Sequence, residues 1–264
     1  MNKIFNSINL IPEIQWVIAI ILAILVFATI LFWFWNRIKP SKLVDEMQLR
    51  TKSWWLMCII FLFASIVHPV VTYIALGFLS FLTLREVYSL LNLREVDRSV
   101  LFFCYLSIPI QYYFAFKGYY TLFLIFIPVF MFIIVPFLLV LTGETKDIIR
   151  SMCILPTSLM LGVFGISHLA LLINFPEMNS NGVSGKALLL FLIFITEAND
   201  IMQFVWGKIF GKHKILPRVS PNKTWEGFIG GVISTTIIGC LMGFLTPLNI
   251  WQLIAISSSM AVFG

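Results

Sequence analysis

The chain has 264 residues, of which 60% are hydrophobic and 11% are charged, and its mean hydropathy is +0.98. So few charges cannot cover a surface that faces water, and the composition excludes a soluble globular protein. The formal net charge of +6 comes from 18 Lys and Arg against 12 Asp and Glu. Because the basic residues are scattered among apolar segments, they indicate membrane orientation and anionic partners, and we expect no nucleic acid partner.

Nine apolar segments predict transmembrane helices, because about 20 apolar residues span the hydrocarbon and only internally hydrogen-bonded backbone is stable there. The segments cover residues 14–35, 54–68, 70–84, 99–116, 119–141, 149–174, 187–206, 225–246 and 250–264. The second and third are short and meet at His68 and Pro69, so they form a tight hairpin or one broken pair. We therefore expect an all-α fold, a single polytopic transmembrane helical bundle of about nine spans.

The basic residues are distributed unevenly between the two sides of this predicted bundle. If the spans alternate, fifteen Lys and Arg lie on one side, and Lys3, Lys117 and Lys186 lie on the other. Positively charged loops are retained in the cytoplasm, so we expect the N-terminus outside and the 207–224 loop inside a bacterial inner (plasma) membrane. Residues 1–53 then form an N-terminal anchor helix and a basic cytoplasmic loop, and residues 54–264 form one membrane-embedded domain.

The acids near the cytoplasmic end of the seventh segment are candidates for chemistry, because charged residues are costly inside a membrane. Glu197 and Asp200 are three positions apart and share a helix face, and Asn199 and Gln203 add polar groups nearby. The alternative is that the acids only neutralise basic residues at the helix ends. Five polar residues within eight positions exceed what packing requires, which favours the functional interpretation.

The loop after this segment is rich in positive charge. It carries five Lys or Arg, and no acid lies between Asp200 and Glu226. A solvated cytoplasmic loop is one explanation, whereas the interleaved glycines, prolines and hydroxyls favour an ordered phosphate-binding loop.

Residues 220–227 predict the start of a helix. Pro221 and the hydroxyls of Ser220 and Thr224 suit its first turn, and Glu226 is favoured near a positive helix end. We expect free backbone amides there that an anion could occupy.

These residues resemble the phosphatidate cytidylyltransferase family, also called CDP-diacylglycerol synthases. The resemblance rests on Asp200, Gly207, Lys208, residues 211–214, residues 220–227, Gly230 and Gly231. The string over residues 220–231 is specific, whereas the preceding chain resembles the family only in its general pattern of spans.

The resemblance implies transfer of a cytidylyl group from CTP to phosphatidic acid in the membrane, giving CDP-diacylglycerol and pyrophosphate with Mg²⁺ as cofactor. Bringing two polyanions together requires cations, so positioning and electrostatic stabilisation do most of the work. We predict catalytic roles for Asp200, Lys223 and Glu226, with Asp200 also the metal ligand. The predicted substrate-binding residues are Lys208, Lys212, His213, Lys214, Ser220, Pro221, Asn222, Thr224 and Gly227.

The chain departs from the family pattern at residues 201–204, and it ends at Gly264, where the family's C-terminal signature should begin. We therefore expect a fragment or a truncated, C-terminally incomplete relative. One alternative is a catalytically inactive relative that binds anionic lipid or nucleotide. A transporter is another, although the sequence lacks paired broken helices in two corresponding halves. The sequence leaves a homodimer open.

Overall fold

A computed structural model describes residues 12–38, 42–67, 69–91, 93–173, 185–218 and 220–263. The chain separates into two compact units, Met1–Asn174 and Phe175–Gly264. The sequence did not predict this division, because apolar segments occur on both sides of it. In the described residues, regular structure is helical except for one two-stranded hairpin. The prediction of an all-α transmembrane bundle is thus confirmed.

The described residues of the first unit form six helices, and a short 3₁₀ helix, Glu95–Asp97, precedes the fourth of them. They are α1 (Pro12–Ile38), α2 (Lys42–Val67), α3 (Pro69–Leu90), α4 (Arg98–Lys117), α5 (Tyr120–Leu141) and α6 (Ile148–Leu172). The second unit contains α7 (Gly185–Phe210), β1 (Lys214–Leu216), β2 (Ser220–Thr224), α8 (Trp225–Leu241) and α9 (Ile250–Phe263).

Six of the described helices are long and apolar enough to cross a membrane. The qualifying stretches are Ala19–Ile38, Val70–Leu90, Glu95–Lys117, Tyr120–Leu141, Ile148–Leu172 and Gly185–Phe210, while α8 and α9 are shorter apolar helices. The break between the second and third segments is confirmed, since α2 ends at Val67 and α3 begins at Pro69. His68 itself lies outside the described residues.

Helix α2 begins earlier than the sequence suggested. Residues 42–53, expected as part of a basic cytoplasmic loop, form its first turns. These turns are polar, so a search for apolar residues does not detect them.

Helix α5 contains a π-helical turn, Phe126–Met131, around Pro128. Proline has no N–H, so it cannot donate the π-type bond to the carbonyl of Phe123. The buried Gln111 of α4 donates its Nε2–H to that carbonyl instead, at 3.1 Å, and contacts the Ser167 hydroxyl of α6 at 3.2 Å. A polar side chain thus donates a hydrogen bond to a main-chain carbonyl inside the bundle.

A buried ion pair fixes one end of the first unit. Asp97 is fully buried, and its Oδ1 lies 2.7 Å from Nη2 of Arg94. The Ser151 hydroxyl donates to Asp97 Oδ2 at 2.6 Å. Arg94 Nη1 also donates to the carbonyls of Glu144 and Lys146, both at 2.8 Å. This network joins the residues before α4 to the α5–α6 connection.

Candidate functional site

The polar residues of α7 lie on two different faces of the helix. Asn199 is fully buried, and its Oδ1 accepts from Gln203 Nε2 at 3.2 Å and from the Thr235 hydroxyl of α8 at 3.4 Å. Gln203 Nε2 also reaches the carbonyl of Ala261 in α9 at 3.3 Å. The sequence analysis grouped these two amides with the acids as one functional cluster, whereas the structure uses them to join α7, α8 and α9.

Glu197 and Asp200 lie outside this three-helix contact. Asp200 is exposed and Glu197 is half-buried. Further along the same helix, the Lys208 ammonium lies 5.3 Å from the ring centroid of Phe204. Residues 197, 200, 204 and 208 are spaced by three or four positions, so they form one stripe on α7.

Glycines allow α7 and α8 to pack closely. A Cβ added to Gly227 would lie 2.8 Å from the carbonyl oxygen of Gln203 and 2.9 Å from the Cα of Gly207. A Cβ at Gly230 would overlap the Trp206 ring, and one at Gly231 would overlap the Gln203 side chain. We call this α7–α8 contact, formed by these six residues, the glycine seam.

The predicted loop over residues 207–224 is partly helix and partly hairpin. Helix α7 continues to Phe210, so Lys208 lies in its last turn. Strands β1 and β2 then pair antiparallel, with Lys214 opposite Thr224 and Leu216 opposite Ser220. Pro221 was expected in the first turn of a helix but lies in β2. Proline has no N–H to donate, and an edge strand of a two-stranded sheet tolerates that.

Helix α8 begins at Trp225, the first residue of the eighth predicted segment, and Thr224 is its cap, whereas Ser220 and Pro221, which were expected in its first turn, lie in β2. The Thr224 hydroxyl accepts from the Gly227 N–H at 3.2 Å, and the residue is only 4% exposed. The Trp225 N–H donates to the carbonyl of His213 at 2.9 Å. The expectation of free amides is therefore wrong for Trp225 and Gly227, because the cap and the neighbouring segment already occupy them.

Glu226 ties the hairpin to the start of α8. Its Oε2 accepts from the backbone N–H of Lys212 at 3.1 Å and of His213 at 3.2 Å. Its Oε1 lies 2.6 Å from Nδ1 of the His213 ring. A single carboxylate thus holds both residues that precede β1, which fixes the position of the hairpin relative to α7 and α8.

The hairpin segment presents positive charge that the rest of the described chain leaves unbalanced. Lys212, Lys214, Arg218 and Lys223 are all exposed. Among the described residues, no acidic side chain forms an ion pair with any of these four. Side chains alternate along a strand, so Lys223 points away from the face on which its buried neighbour Thr224 packs.

The structure brings some of the predicted site residues together and separates others. The hairpin and its attachment to α8 contain eight of the predicted site residues. These are Lys212, His213, Lys214, Ser220, Pro221, Asn222, Lys223 and Glu226. Gly227 is buried in the glycine seam, and Thr224 is buried beside it. Asp200 lies ten residues before the end of α7, about 15 Å along the helix axis.

The described residues contain no group of three or more His, Cys, Asp or Glu side chains that could hold a metal ion. Mg²⁺ commonly binds through one or two carboxylates and completes its coordination with waters and substrate phosphates. Glu197 and Asp200, one helical turn apart, fit this mode. Magnesium itself stays a prediction.

These features define an integral membrane protein in which the last long apolar helix leads into a rigidly held basic hairpin, a surface suited to phosphates. The chain belongs to the cytidylyltransferase family, whose model matches residues 48–264. The resemblance inferred from residues 200–231 is thereby confirmed. Membership makes the protein a nucleotidyltransferase that uses a CTP-type nucleotide.

Several bacterial proteins are similar to this chain. The uncharacterized protein YnbB of Escherichia coli (strain K12) is 35% identical over 240 residues, which cover 89% of this chain and 77% of that protein. The phosphatidate cytidylyltransferase of Staphylococcus haemolyticus is 38% identical over 82 residues, 30% of this chain and 32% of that enzyme. The phosphatidate cytidylyltransferase of Staphylococcus saprophyticus is 34% identical over 94 residues, which cover 35% of this chain and 36% of that enzyme. The aligned part therefore spans about a third of these two enzymes. No solved structure matches the chain.

Proposed function

We propose that this protein transfers the cytidylyl group of CTP to phosphatidic acid, giving CDP-diacylglycerol and pyrophosphate at the cytoplasmic face of a bacterial inner membrane. The observation that carries the proposal is the set of four exposed, unbalanced cations around a hairpin that follows the membrane-crossing helix α7 and that Glu226 ties to the start of α8. The phosphatidate cytidylyltransferases that align with part of the chain support the choice of lipid.

The reaction joins two polyanions. An oxygen of the lipid phosphate monoester attacks the α-phosphorus of CTP, and the bond from that phosphorus to the bridging oxygen of the β-phosphate breaks, so pyrophosphate leaves with the bond electrons. The nucleophile is already anionic, so no protein side chain has to form a covalent intermediate. Positioned cations lower the repulsion between the substrates and stabilise the charge that develops on the leaving group.

We assign different tasks to the predicted residues. Lys212, Lys214 and Lys223 supply the charges that contact phosphate oxygens, because they are exposed on the hairpin segment and have no acidic partner among the described residues. Glu226 acts on position, through its bonds to the backbone before β1. Ser220, Pro221, Asn222 and Lys208 stay predicted substrate contacts.

Glu197 and Asp200 would hold Mg²⁺ on the stripe of α7, and the ion would supply positive charge that offsets the negative charge of substrate phosphates. Without a bound cation, the Asp200 carboxylate would repel a substrate phosphate, since both groups are negatively charged. The apolar body of α7 gives the acyl chains a path along the protein, while the hairpin segment faces the aqueous headgroup region.

The direct test is incorporation of radiolabelled CTP into lipid by membranes from cells that express the complete coding sequence. We expect Lys223→Ala to reduce turnover about tenfold or more, because a hydrogen bond to a charged group contributes about 1.5–3 kcal/mol. Lys146→Ala is the matched control. It removes the same charge from an exposed position in the α5–α6 connection, and its turnover should equal that of the wild type.

Two results would overturn the proposal. Wild-type turnover in Lys223→Ala would show that the hairpin is not part of the active site. Binding of nucleotide without any transfer to phosphatidic acid, with the protein folded and Mg²⁺ present, would favour the inactive relative.

The orientation has its own test. We propose that the N-terminus lies outside, because fifteen of the 18 Lys and Arg then face the cytoplasm. In a variant free of its four native cysteines, a cysteine introduced at position 212 should react with an impermeant maleimide only after the inner membrane is opened. Labelling in intact spheroplasts would place the hairpin on the wrong side for cytoplasmic CTP.

A further inference from the structure

His213 is held firmly although its ring is largely exposed. Its backbone N–H donates to Glu226, and its carbonyl accepts from Trp225. The ring contacts the same carboxylate through Nδ1 at 2.6 Å, while 78% of the side chain stays accessible. Most exposed histidines rotate freely, whereas this one has a fixed orientation with its other nitrogen, Nε2, away from Glu226.

The contact with Glu226 fixes which ring nitrogen carries hydrogen. An ionised carboxylate only accepts hydrogen bonds, so Nδ1 must be the donor. In the neutral ring, Nε2 then carries a lone pair that repels a phosphate oxygen. In the doubly protonated ring, Nε2–H points outward as a charged donor while Nδ1–H keeps its bond to Glu226.

The other charges near His213 are positive. Lys212 and Lys214 flank it on its own segment, β2 carries Lys223, and α7 carries Lys208 in its last turn. Within the described part of the chain, Glu226 of α8 is the acid that pairs with His213. Without Glu226, this cluster would oppose a further positive charge on the ring.

We propose that Glu226 makes His213 a proton-coupled phosphate ligand, whose Nε2–H donates to a phosphate oxygen of the bound nucleotide. The inference rests on the proposed function only for the identity of the ligand, a nucleoside triphosphate. His213 takes up one proton from water at Nε2 as the nucleotide binds, Glu226 stays ionised, and no covalent bond forms or breaks. Toward the phosphate, Glu226 acts through the His213 ring and is a positioning residue, in addition to holding the backbone before β1.

Two substitutions separate the nitrogens of the ring. Asparagine places an amide N–H where Nδ1 was, so His213→Asn keeps the bond to Glu226 and removes the outward donor. Glutamine places an amide N–H near the position of Nε2, so His213→Gln keeps an outward donor without charge. Both variants leave the backbone bonds to Glu226 available.

The measurement is isothermal titration calorimetry of CTP binding to the purified full chain in nanodiscs. Titrations at pH 6 and pH 8, in buffers of different ionisation enthalpy, give the affinity and the number of protons taken up. Phosphates of CTP titrate in the same range, so each proton count is compared between variants and not with zero. Thermal unfolding of each variant shows whether the hairpin stays folded.

We expect His213→Asn to unfold at the wild-type temperature but to bind CTP about tenfold more weakly at pH 6, with little difference at pH 8. Its proton uptake at pH 6 to 8 should be lower than that of the wild type. His213→Gln should show intermediate affinity and the same reduced uptake. Lys214→Gln is the matched control: it should weaken binding equally at both pH values, because ammonium groups stay charged across this range.

A double-mutant cycle tests the role of Glu226. If Glu226 acts through the ring, Glu226→Gln combined with His213→Asn should bind CTP no more weakly than His213→Asn alone. Additive losses would show that Glu226 contributes independently of His213. Wild-type affinity and wild-type proton uptake in His213→Asn would overturn the proposal.

The two proposals fail separately. If the membranes transfer no cytidylyl group but proton uptake on CTP binding depends on His213, the lipid reaction is wrong and the phosphate ligand stands. If transfer is active and the His213 variants bind and turn over CTP like the wild type at both pH values, the lipid reaction stands and His213 is structural.

Discussion

Replacing Gly227 with alanine tests whether this residue serves packing or substrate binding. A Cβ there would lie 2.8 Å from the Gln203 carbonyl oxygen, 2.9 Å from the Gly207 Cα and 3.0 Å from the Thr224 hydroxyl. Two of these three atoms are backbone, so no side-chain rotation relieves the contact. Helices α7 and α8 would have to separate by about half an ångström at this point, since packed interiors have no slack.

Two opposing effects set the size of the change. Overpacking a tight contact costs about 1–3 kcal/mol. Alanine is a better helix former than glycine by about 1 kcal/mol. The balance predicts that Gly227→Ala destabilises the second unit by about 1 kcal/mol, which lowers the melting temperature by about 2–4 °C for a chain of this size. Transfer activity should fall as well, because Thr224 and Glu226 move with the first turn of α8.

The assay is thermal unfolding in detergent, followed by intrinsic tryptophan fluorescence, alongside CTP incorporation. Gly165→Ala in α6 is the control, because a Cβ there would lie 3.6 Å from the Met160 carbonyl oxygen, an ordinary contact. Its melting temperature should stay the same or rise. If Gly227→Ala raises the melting temperature while activity is lost, Gly227 contacts substrate and the packing argument is wrong.

Two further substitutions probe the frame of the site and the first unit. Thr224→Val keeps the shape of a 4% exposed side chain but removes the acceptor of the Gly227 N–H, so it should destabilise the protein by about 1 kcal/mol. Asp97→Ala should cost about 1–3 kcal/mol, because it leaves the Ser151 hydroxyl and part of the Arg94 guanidinium without their acceptor. The double variant with Arg94→Ala should cost less than the sum of the single changes in the same unfolding assay; equal or larger cost would show that the pair is not coupled.

The helices were predictable where hydropathy and local stereochemistry agree. The fourth segment, expected over residues 99–116, forms α4 over Arg98–Lys117, and Gly118 ends it in the left-handed region at φ 70°. The start of α8 was predictable from Thr224, a residue type that caps helices. In both places a residue type that ends or begins helices, Gly118 or Thr224, lies where the sequence changes between polar and apolar residues.

The hairpin was not predictable from the same signals. Strand β1 has three residues and β2 has five, too short for a period of two to be distinguished from chance. Pro221 favoured a helix start by its fixed φ, yet that φ also suits an edge strand. Pro217, between the two short strands, is a residue type that favours turns and could have indicated a hairpin. The many lysines around it favoured a solvated or phosphate-binding loop instead.

The sequence also could not predict which polar residues of α7 are buried and which are exposed. Asn199 and Asp200 are neighbours of similar polarity, but successive helical residues differ by about 100° in direction. Only the position of α8 decides which of them is buried. A count of polar residues in a window therefore overestimated the functional cluster.

The signature string over residues 220–231 combines two kinds of residue whose effects reinforce one another. Thr224, Gly227 and Glu226 build a frame, through a cap, a close helix contact and a carboxylate that binds the backbone before β1. Lys223 and the lysines of the opposite segment supply charge on that frame. Bringing the lysines close together is unfavourable, because like charges repel. The frame holds them together in the folded protein, so substrate binding does not have to bring them together. A string match alone would assign all of these residues to the substrate, whereas the structure indicates that about half of them act by holding the others in place.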